Sequence, residues 1–233
     1  MSNARLKIIR KLSQKKFRNE LKLFVAEGLR LCEEVPPAQI EFGFYTREFL
    51  LDERARILIE RLKNLEEVSA STMEKISDTK TPQGILLVVR QNFSTLEEIL
   101  AKKIIVVLDG VQDPGNVGTI LRTAAAFDCS VILLEGSAEI FNPKVVRATM
   151  GAIFDLTVTE MTSDAFLKLM KSAKFEVTAA ALDGKAEIYF NHDFTKKSAV
   201  VFISSSLIFH ENVFHEFQPI GGVCAHCLNV RSP

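Results

Sequence analysis

Two unlike polar side chains stand where a predicted strand turns into a predicted helix. Asn116 and Arg122 follow the β-branched run Ile104–Leu108 and a polar, glycine-bearing turn. In an open α/β sheet, ligands bind at the carboxyl ends of the strands. A fixed guanidinium there can bind a hydroxyl or a phosphate and stabilise negative charge, although it does not readily give up a proton and so does not readily act as a base. The two residues therefore predict a ligand site.

A helix is predicted over Val117–Phe127, because its apolar residues recur at the spacing of a core-facing stripe. Asn116 stands where the N-cap of this helix is expected, and Arg122 lies off the stripe. The stripe consists of Val117, Ile120, Leu121, Ala124 and Ala125. The spacing alone leaves a second interpretation open, in which Asn116 is only a cap and Arg122 only a solvated surface cation.

Two segments of the chain resemble the signatures of one enzyme family. The run Asn116-Val-Gly-Thr-Ile-Leu-Arg122-Thr-Ala resembles the first signature of the SpoU (TrmH) family of RNA ribose 2′-O-methyltransferases, with Asp128 where the family has glycine. The segment Phe141–Ala152 resembles the next signature, Asn-x-Lys-x-x-Arg-x-Ser-x-Gly-Ala, with Thr149 in place of serine. The resemblance implies catalytic roles for Asn116 and Arg122. It also implies that Arg147 binds an RNA phosphate or braces Asn116.

The resemblance carries expectations about reaction, fold and assembly. It implies transfer of a methyl group from S-adenosylmethionine to a ribose 2′-hydroxyl in structured RNA, either rRNA or tRNA. The implied fold is α/β, with a C-terminal trefoil-knotted (SPOUT-type) parallel sheet and a smaller N-terminal L30e-like α/β RNA-binding domain. Such a knot is an exception to the rule that chains do not thread. The family is dimeric through the knotted domain, with site residues from both subunits, so a homodimer is expected.

The N-terminus is strongly basic although the whole chain is neutral. Residues 1–22 contain eight Lys or Arg residues against Glu20 alone, which gives a net charge of +7. A dense basic segment attracts RNA because phosphate binding releases counterions, although such a segment can also be a solvated helix face. Residues 15–31 resemble the opening of the family's substrate-binding domain, Lys-x-Arg-x-x-x-x-x-Phe-x-x-Glu-Gly. The RNA-binding residues expected here are Lys15, Lys16 and Arg18.

Three segments are predicted along the chain: a substrate RNA-binding domain over 1–92, a connector over 93–102, and a methyltransferase domain over 103–233. In the first, helices are predicted at Asn3–Leu12, at Ala26–Val35 before Pro36-Pro37, and from an Asp52 cap to about Lys63. Strands are predicted at Ile40–Tyr45 and Gly84–Val89. The apolar side of the Asp52 helix is assigned to Ile57, Leu58, Ile59 and Leu62.

Strand and helix patterns alternate from Lys103 onward, which predicts a mostly parallel sheet covered by helices. The predicted helices after Val117–Phe127 are Lys144–Ile153 and Asp164–Lys174. The predicted strands are Ile104–Leu108, Val131–Leu134, Leu156–Val158, Glu176–Leu182 and Ala199–Ile203.

The segment after Ile203 departs from the family. Where a Gly-x-Glu turn is expected, the chain reads Ser204-Ser-Ser, and Gln218-Pro-Ile220 and Cys227-Leu-Asn-Val230 match later signatures only in part. Divergence to a weak enzyme, truncation and a frameshifted reading are the alternatives, of which we expect truncation or a frameshift. The resemblance nevertheless implies a set of cofactor-binding residues, namely Leu182, Ser204, Pro219, Ile220, Leu228 and Asn229.

The same segment offers a metal site as a rival interpretation. His210, His215, Cys224 and Cys227 lie within 18 residues, and Cys224-Ala-His-Cys227 has the spacing of a zinc knuckle. The histidine spacing is unlike that of a standard finger, so we expect no metal. No apolar run approaches the roughly 18 residues of a membrane span, and the charged N-terminus has no apolar core of the kind found in signal peptides, so we expect neither feature. Four cysteines in 233 residues fit a reducing cytoplasm.

Two alternatives to the methyltransferase remain. One is a catalytically impaired RNA-binding homologue that has lost cofactor binding. The other is a small-molecule Rossmann enzyme, which the absence of Gly-x-Gly-x-x-Gly disfavours.

Overall fold

The computed structural model describes residues 3–180, 187–188, 193–203 and 218–221. The chain divides into two compact units. Met1–Asn92 and Glu139–Asp155 form the first, here called the N-terminal unit, and Phe93–Ala138 and Leu156–Pro233 form the second, the C-terminal unit. The sequence prediction had placed 139–155 in the domain 103–233. The predicted domain boundaries stay a prediction.

Helices and strands alternate through both units. The described helices are α1 Asn3–Leu12, α2 Lys15–Leu21, α3 Leu29–Glu34, α4 Glu53–Arg61, α5 Ala70–Ile76, α6 Leu96–Ala101, α7 Pro114–Ala126, α8 Pro143–Ala148 and α9 Ser163–Ala173. The described strands are β1 Leu23–Glu27, β2 Ile40–Thr46, β3 Leu65–Val68, β4 Ile85–Arg90, β5 Ile104–Asp109, β6 Ser130–Leu134, β7 Val158–Met161, β8 Glu176–Ala180, β9 Glu187–Ile188, β10 Ser198–Ile203 and β11 Gln218–Gly221. Short 3-10 turns lie at Pro37–Gln39, Glu48–Leu51 and Ala152–Phe154.

The N-terminal unit is built on a four-stranded sheet of order β1-β4-β2-β3. The apolar run Ile85–Val89 of β4 is fully buried, and β4 lies between β1 and β2, to both of which it is antiparallel. Helix α1 closes the core, because its Ile9 and Leu12 pack with Phe42 and Phe44 of β2. The first half of the basic N-terminal segment is therefore an amphipathic helix, α1.

The sequence predicts most of this unit correctly. The helix over Asn3–Leu12 and the strand at Ile40–Tyr45 are confirmed. Asp52 caps α4 as expected, its carboxylate accepting from the backbone N–H of Arg54 at 2.8 Å. Leu58 and Leu62 are buried, but Ile57 is 61% exposed, so its assignment to the apolar side is wrong.

The helix predicted over Ala26–Val35 is wrong at its start. Ala26 and Glu27 end β1, and α3 begins only at Leu29. Gly28 separates the two elements with φ of 97°, a conformation that cannot continue a right-handed helix and that glycine adopts without strain. The helix ends at Glu34 before the two prolines, as predicted.

The C-terminal unit contains the predicted parallel sheet. Its seven described strands are all parallel to their neighbours, in the order β7-β6-β5-β10-β8-β11-β9. Residues of β5, β6, β8 and β10 form its core together with Ile99 of α6 and with Phe166 and Met170 of α9. The aliphatic runs of β5 and β6 are typical of strands that are covered on both faces.

Several predicted boundaries in this unit differ from the observed ones. Strand β7 begins at Val158 rather than Leu156, and α8 ends at Ala148 before a separate 3-10 turn. The predicted connector contains α6, whose capping box joins Thr95 and Glu98. No helix among the described residues is long and apolar enough to cross a membrane.

Candidate active site and RNA-binding surface

The turn between β5 and α7 is built by local sequence. Strand β5 ends at Asp109, and Gly110 reverses the chain with φ of 65°. Asp113 is the N-cap of α7, since its carboxylate accepts from the backbone N–H of Asn116 at 2.8 Å, and Pro114 occupies the first helical turn. The prediction that Asn116 caps this helix is therefore wrong. The helix begins three residues earlier than predicted, and Asn116 lies in its first turn.

The loops after β5 and β6 are fastened to each other. The hydroxyl of Ser137 donates to the carbonyl of Leu108 at 3.0 Å and accepts from the backbone N–H of Val111 at 3.2 Å. The backbone N–H of Ala138 donates to the carbonyl of Val111 at 2.8 Å. These bonds fix the backbone that leads into α7, so the helix start is held by the neighbouring strand's loop as well as by its own cap.

Arg122 presents an available guanidinium on α7. The helix buries Val117, Leu121 and Ala124, whereas the side chain of Arg122 is exposed. Arg122 makes no ion pair or hydrogen bond through its side chain within the described part of the chain. Asn116 is half-buried and lies six residues before Arg122, a separation of about 9 Å along a helix axis and about 240° around it. Their side chains therefore leave α7 in different directions.

The strand ends bring two of the predicted cofactor residues to one edge of the sheet. Ile203 of β10 is in register with Asp109 of β5. Pro219 and Ile220 lie in β11, in register with Ala179 and Ala180 of β8. The other predicted cofactor residues lie outside the described residues, namely Leu182, Ser204, Leu228 and Asn229.

The rival metal ligands lie outside the described residues as well, namely His210, His215, Cys224 and Cys227. Among residues that the structure describes, no cluster of three His, Cys, Asp or Glu side chains could hold a metal ion.

Lys15 and Lys16 are exposed at the start of α2, as an RNA-contacting role requires. The ammonium groups of Lys11 and Lys16 lie 5.2 and 5.9 Å from the centre of the Phe17 ring. The cations therefore form a compact positive surface around one aromatic side chain.

Arg18 has a structural role instead of the predicted RNA contact. Its side chain is buried, and its guanidinium forms a two-pronged ion pair with the carboxylate of Glu139, with Nε to Oε1 at 2.9 Å. Its Nη1 also donates to the carbonyl of Leu12 at 2.7 Å. With every side of the guanidinium directed at protein, Arg18 is not available to a phosphate. This corrects the prediction for Arg18.

Arg147 lies on α8, within the N-terminal unit. Its Nη2 donates to Oδ2 of Asp78 at 2.9 Å, and 29% of its side chain is exposed. An exposed carboxylate partner leaves part of the guanidinium open to solvent, so a phosphate can still reach it.

The Glu27-Gly28 pair of the resembling segment organises a loop. Glu27 is buried, and its carboxylate accepts from the hydroxyls of Ser77 and Thr79, the latter at 2.6 Å, and from the backbone N–H of Asp78 at 3.3 Å. A buried carboxylate with three donors is fully compensated, so it fixes residues 77–79 against β1.

Comparison with known proteins matches both parts of the chain to one kind of enzyme. Residues 103–202 match the SpoU rRNA methylase family. This match covers fewer than half of the chain's residues and includes the run Asn116–Ala124 that resembles the first SpoU signature. Residues 3–87 match the MRM3-like substrate binding domain, which agrees with the predicted N-terminal accessory domain.

Curated relatives and solved structures extend the match. The 23S rRNA (guanosine(2553)-2′-O)-methyltransferase RlmP of Bacillus subtilis is 28% identical over 187 residues, which cover 79% of this chain and 73% of RlmP. The mitochondrial rRNA methyltransferase 3 of Homo sapiens is 32% identical over 61% of this chain, which spans only 36% of that protein. A putative RNA methyltransferase of the TrmH family from Porphyromonas gingivalis superposes with a TM-score of 0.81 at 28% identity, covering 100% of this chain and 92% of that one.

One solved relative also contains a cofactor. The AdoMet-bound rRNA methyltransferase from Sinorhizobium meliloti has a TM-score of 0.79 at 28% identity, covering 94% of this chain and 85% of that one. These likenesses confirm the α/β fold with its parallel sheet and N-terminal substrate-binding domain.

Proposed function

We propose that this chain transfers the methyl group of S-adenosylmethionine to a ribose 2′-hydroxyl of structured RNA, and that the RNA is rRNA. The proposal is carried by the strand–turn–helix of β5 and α7. It lies inside the region that matches the SpoU family and bears Asn116 and Arg122 at the spacing of the family signature. The names of the RlmP and rRNA methyltransferase 3 relatives support rRNA as the substrate.

The described residues at the carboxyl edge of the sheet fit a bound nucleoside. The end of β8 carries the short side chain of Ala180, and β11 beside it ends at Gly221. Short side chains let a ligand approach backbone N–H and C=O groups closely. S-adenosylmethionine supplies a methyl group that its sulfonium charge activates. The residues proposed to hold it are Leu182, Ser204, Pro219, Ile220, Leu228 and Asn229.

The chain's own contribution is to align and activate the ribose hydroxyl. Alignment of two reactants in one site removes much of the entropic barrier to their reaction. The free guanidinium of Arg122 would donate hydrogen bonds to the 2′-oxygen or to the adjacent phosphate, which lowers the pKa of the hydroxyl and stabilises the developing negative charge. Asn116 would hold the geometry of the helix start.

A homodimer through the C-terminal unit is part of this proposal. Because Asn116 and Arg122 point in different directions from α7, a site that uses both is more readily completed by two subunits. Phe127, directly after α7, is 76% exposed, so its ring is available to a second subunit. The insertion of β10 between β5 and β8 supports the trefoil knot implied by the family.

RNA recognition is proposed for the N-terminal unit, through Lys15, Lys16 and Arg147. All three cations are at least partly exposed, and the unit matches a substrate-binding domain. The cysteine content and the bacterial relative support a cytoplasmic location.

A second candidate function is RNA binding without methyl transfer. It is favoured by the sequence after Ile203, where Ser204 replaces the glycine of the family's cofactor turn. A side chain at that position obstructs the close backbone approach that glycine permits.

The function is tested by incubating the full chain with S-adenosylmethionine and a bacterial 23S rRNA transcript, followed by digestion to nucleosides and mass spectrometry. The proposal predicts a 2′-O-methylnucleoside. A product methylated on the base would contradict it, and RNA binding without any methylated product would favour the second candidate.

A further inference from the structure

The N-terminal unit contains a cleft that the proposed chemistry does not use. Its volume is about 810 Å³, within the range of sites that bind small molecules. Three arginines and three carboxylates line it beside Thr79 and Gln83, namely Arg30, Arg54, Arg147, Glu27, Glu48 and Asp52. The carboxylates of Glu27 and Asp52 already accept hydrogen bonds from Thr79 and from the start of α4. Leu29 and Met150 supply apolar surface to the same cleft. Cations, hydrogen-bonding groups and apolar surface in one cleft are the three contacts that a nucleotide needs.

The cations of the cleft differ in how far they are already neutralised. The Arg54 guanidinium is paired with the carboxylate of Glu33, and Arg147 is paired with Asp78. Arg30 is exposed and makes no ion pair with any described residue. Arg30 is therefore the cation that gains most from an incoming phosphate, and Arg147 is near enough to line the same cleft.

The floor and wall of the cleft are fixed before any ligand arrives. Gln83 accepts from the backbone N–H of Leu29 at 2.9 Å, a contact made close by Gly28, where an added Cβ would lie 3.0 Å from the Gln83 oxygen. Thr79 is held by the buried carboxylate of Glu27. A prearranged cleft loses less entropy on binding than a mobile one.

Met150 supplies exposed apolar surface to the cleft. Its φ is 53°, in the left-handed region that long side chains rarely adopt, and 50% of the residue is exposed. Met150 follows the end of α8, and a left-handed residue ends α2 and α9 in the same way, at Lys22 and Lys174. At Met150 this conformation holds an apolar side chain on the wall of a charged cleft, where it can contact the face of a base.

We infer that this cleft binds one unpaired nucleotide of the RNA substrate, with Arg30 and Arg147 on its phosphates and Met150 against its base. The inference rests on the proposed RNA substrate and adds to it a subsite that reads a single strand. Proteins recognise RNA sequence mainly at unpaired nucleotides, whose bases are free to enter a pocket. Arg30 and Met150 are therefore positioning and specificity residues for the substrate.

The test is fluorescence anisotropy of the full chain with a labelled RNA stem–loop and with a fully paired duplex of the same stem. Arg30→Ala should weaken stem–loop binding about tenfold, as expected for the loss of a hydrogen-bonded charge, and lower the salt slope by about one. Duplex binding should change no more than in Arg56→Ala. Arg56 is the matched control, because it is an exposed arginine of the same unit that does not line the cleft.

Met150→Gly separates binding from a structural role. Glycine relieves the left-handed strain, so the unfolding temperature should not fall, whereas stem–loop affinity should fall several-fold. Wild-type affinity for the stem–loop in both Arg30→Ala and Met150→Gly would overturn the inference. It would also be overturned if free nucleoside monophosphate competed with the stem–loop while neither variant changed the affinity for RNA. Failure of the wild-type chain to bind either RNA would instead overturn the proposed function and remove the basis of the inference.

Discussion

Replacing Arg18 by alanine leaves the Glu139 carboxylate buried without its cation. The two side chains are 3% and 5% exposed, and Arg18 also supplies the donor for the Leu12 carbonyl. Removal of one partner from a buried ion pair costs about 3–5 kcal/mol, because the remaining charge has no water to solvate it. Arg18→Ala should therefore lower the free energy of unfolding by about that amount, which is a large part of the stability of a typical domain.

Urea unfolding followed by circular dichroism measures the effect, and amide exchange of β1 and β4 identifies the unit that unfolds. The control is Arg90→Ala, because the Arg90–Glu41 pair is 53% and 45% exposed and should contribute at most about 1 kcal/mol. The double variant Arg18→Met, Glu139→Leu should recover most of the loss, since it removes both charges. The structural role would be refuted if the free energy of unfolding of Arg18→Ala stayed within about 1 kcal/mol of the wild-type value and the variant lost RNA affinity.

Three further predictions follow from the N-terminal unit. The double variant Lys15→Ala, Lys16→Ala should lower the slope of log affinity against log salt by up to about two in RNA titrations. An unchanged slope would indicate that the two lysines are solvated and do not contact RNA. Gly151→Ala should lower the unfolding temperature, because its φ is 100° and the new Cβ would lie 2.5 Å from Cγ of Glu34; an unchanged temperature would contradict this packing. Burial raises the pKa of the Cys32 thiol above its ordinary value of 9.0, so its contribution to stability should be present below that pH and decline above it. As pH rises above that value, the free energy of unfolding should therefore fall less in Cys32→Ala than in the wild type. Parallel curves of unfolding free energy against pH for the two proteins would be inconsistent with the raised pKa.

Periodic patterns predict the elements that carry the site. The aliphatic run of β5 and the apolar stripe of α7 are local properties of the sequence, so both elements are found where the pattern indicates. The helix start was misplaced because Asp113-Pro114 is a stronger initiation signal than Asn116. Helix α6 was missed although Thr95 and Glu98 have the spacing of a capping box, a signal that was present in the sequence.

Long-range pairing could not be predicted from the sequence. Arg18 stands in a run of basic residues, and no spacing rule connects it to Glu139, which lies 121 positions later. The ring of Phe24 lies 4.9 Å from that of Phe141, which anchors the same later segment in the N-terminal unit. Arg30 was missed for the same reason, because only the fold brings its neighbours in the cleft together.

The most direct test of the central claim is single-turnover methyl transfer to 23S rRNA by the wild-type chain and by Arg122→Ala, with cofactor binding measured by calorimetry in both. The account predicts a 2′-O-methylated product from the wild type, and a rate about two orders of magnitude lower in Arg122→Ala. Because Arg122 is exposed on α7, the Arg122→Ala variant should match the wild type in unfolding temperature and in cofactor affinity. An Arg122→Ala enzyme as fast as wild type, or a wild-type chain that binds both cofactor and RNA without transferring the methyl group, would contradict the account.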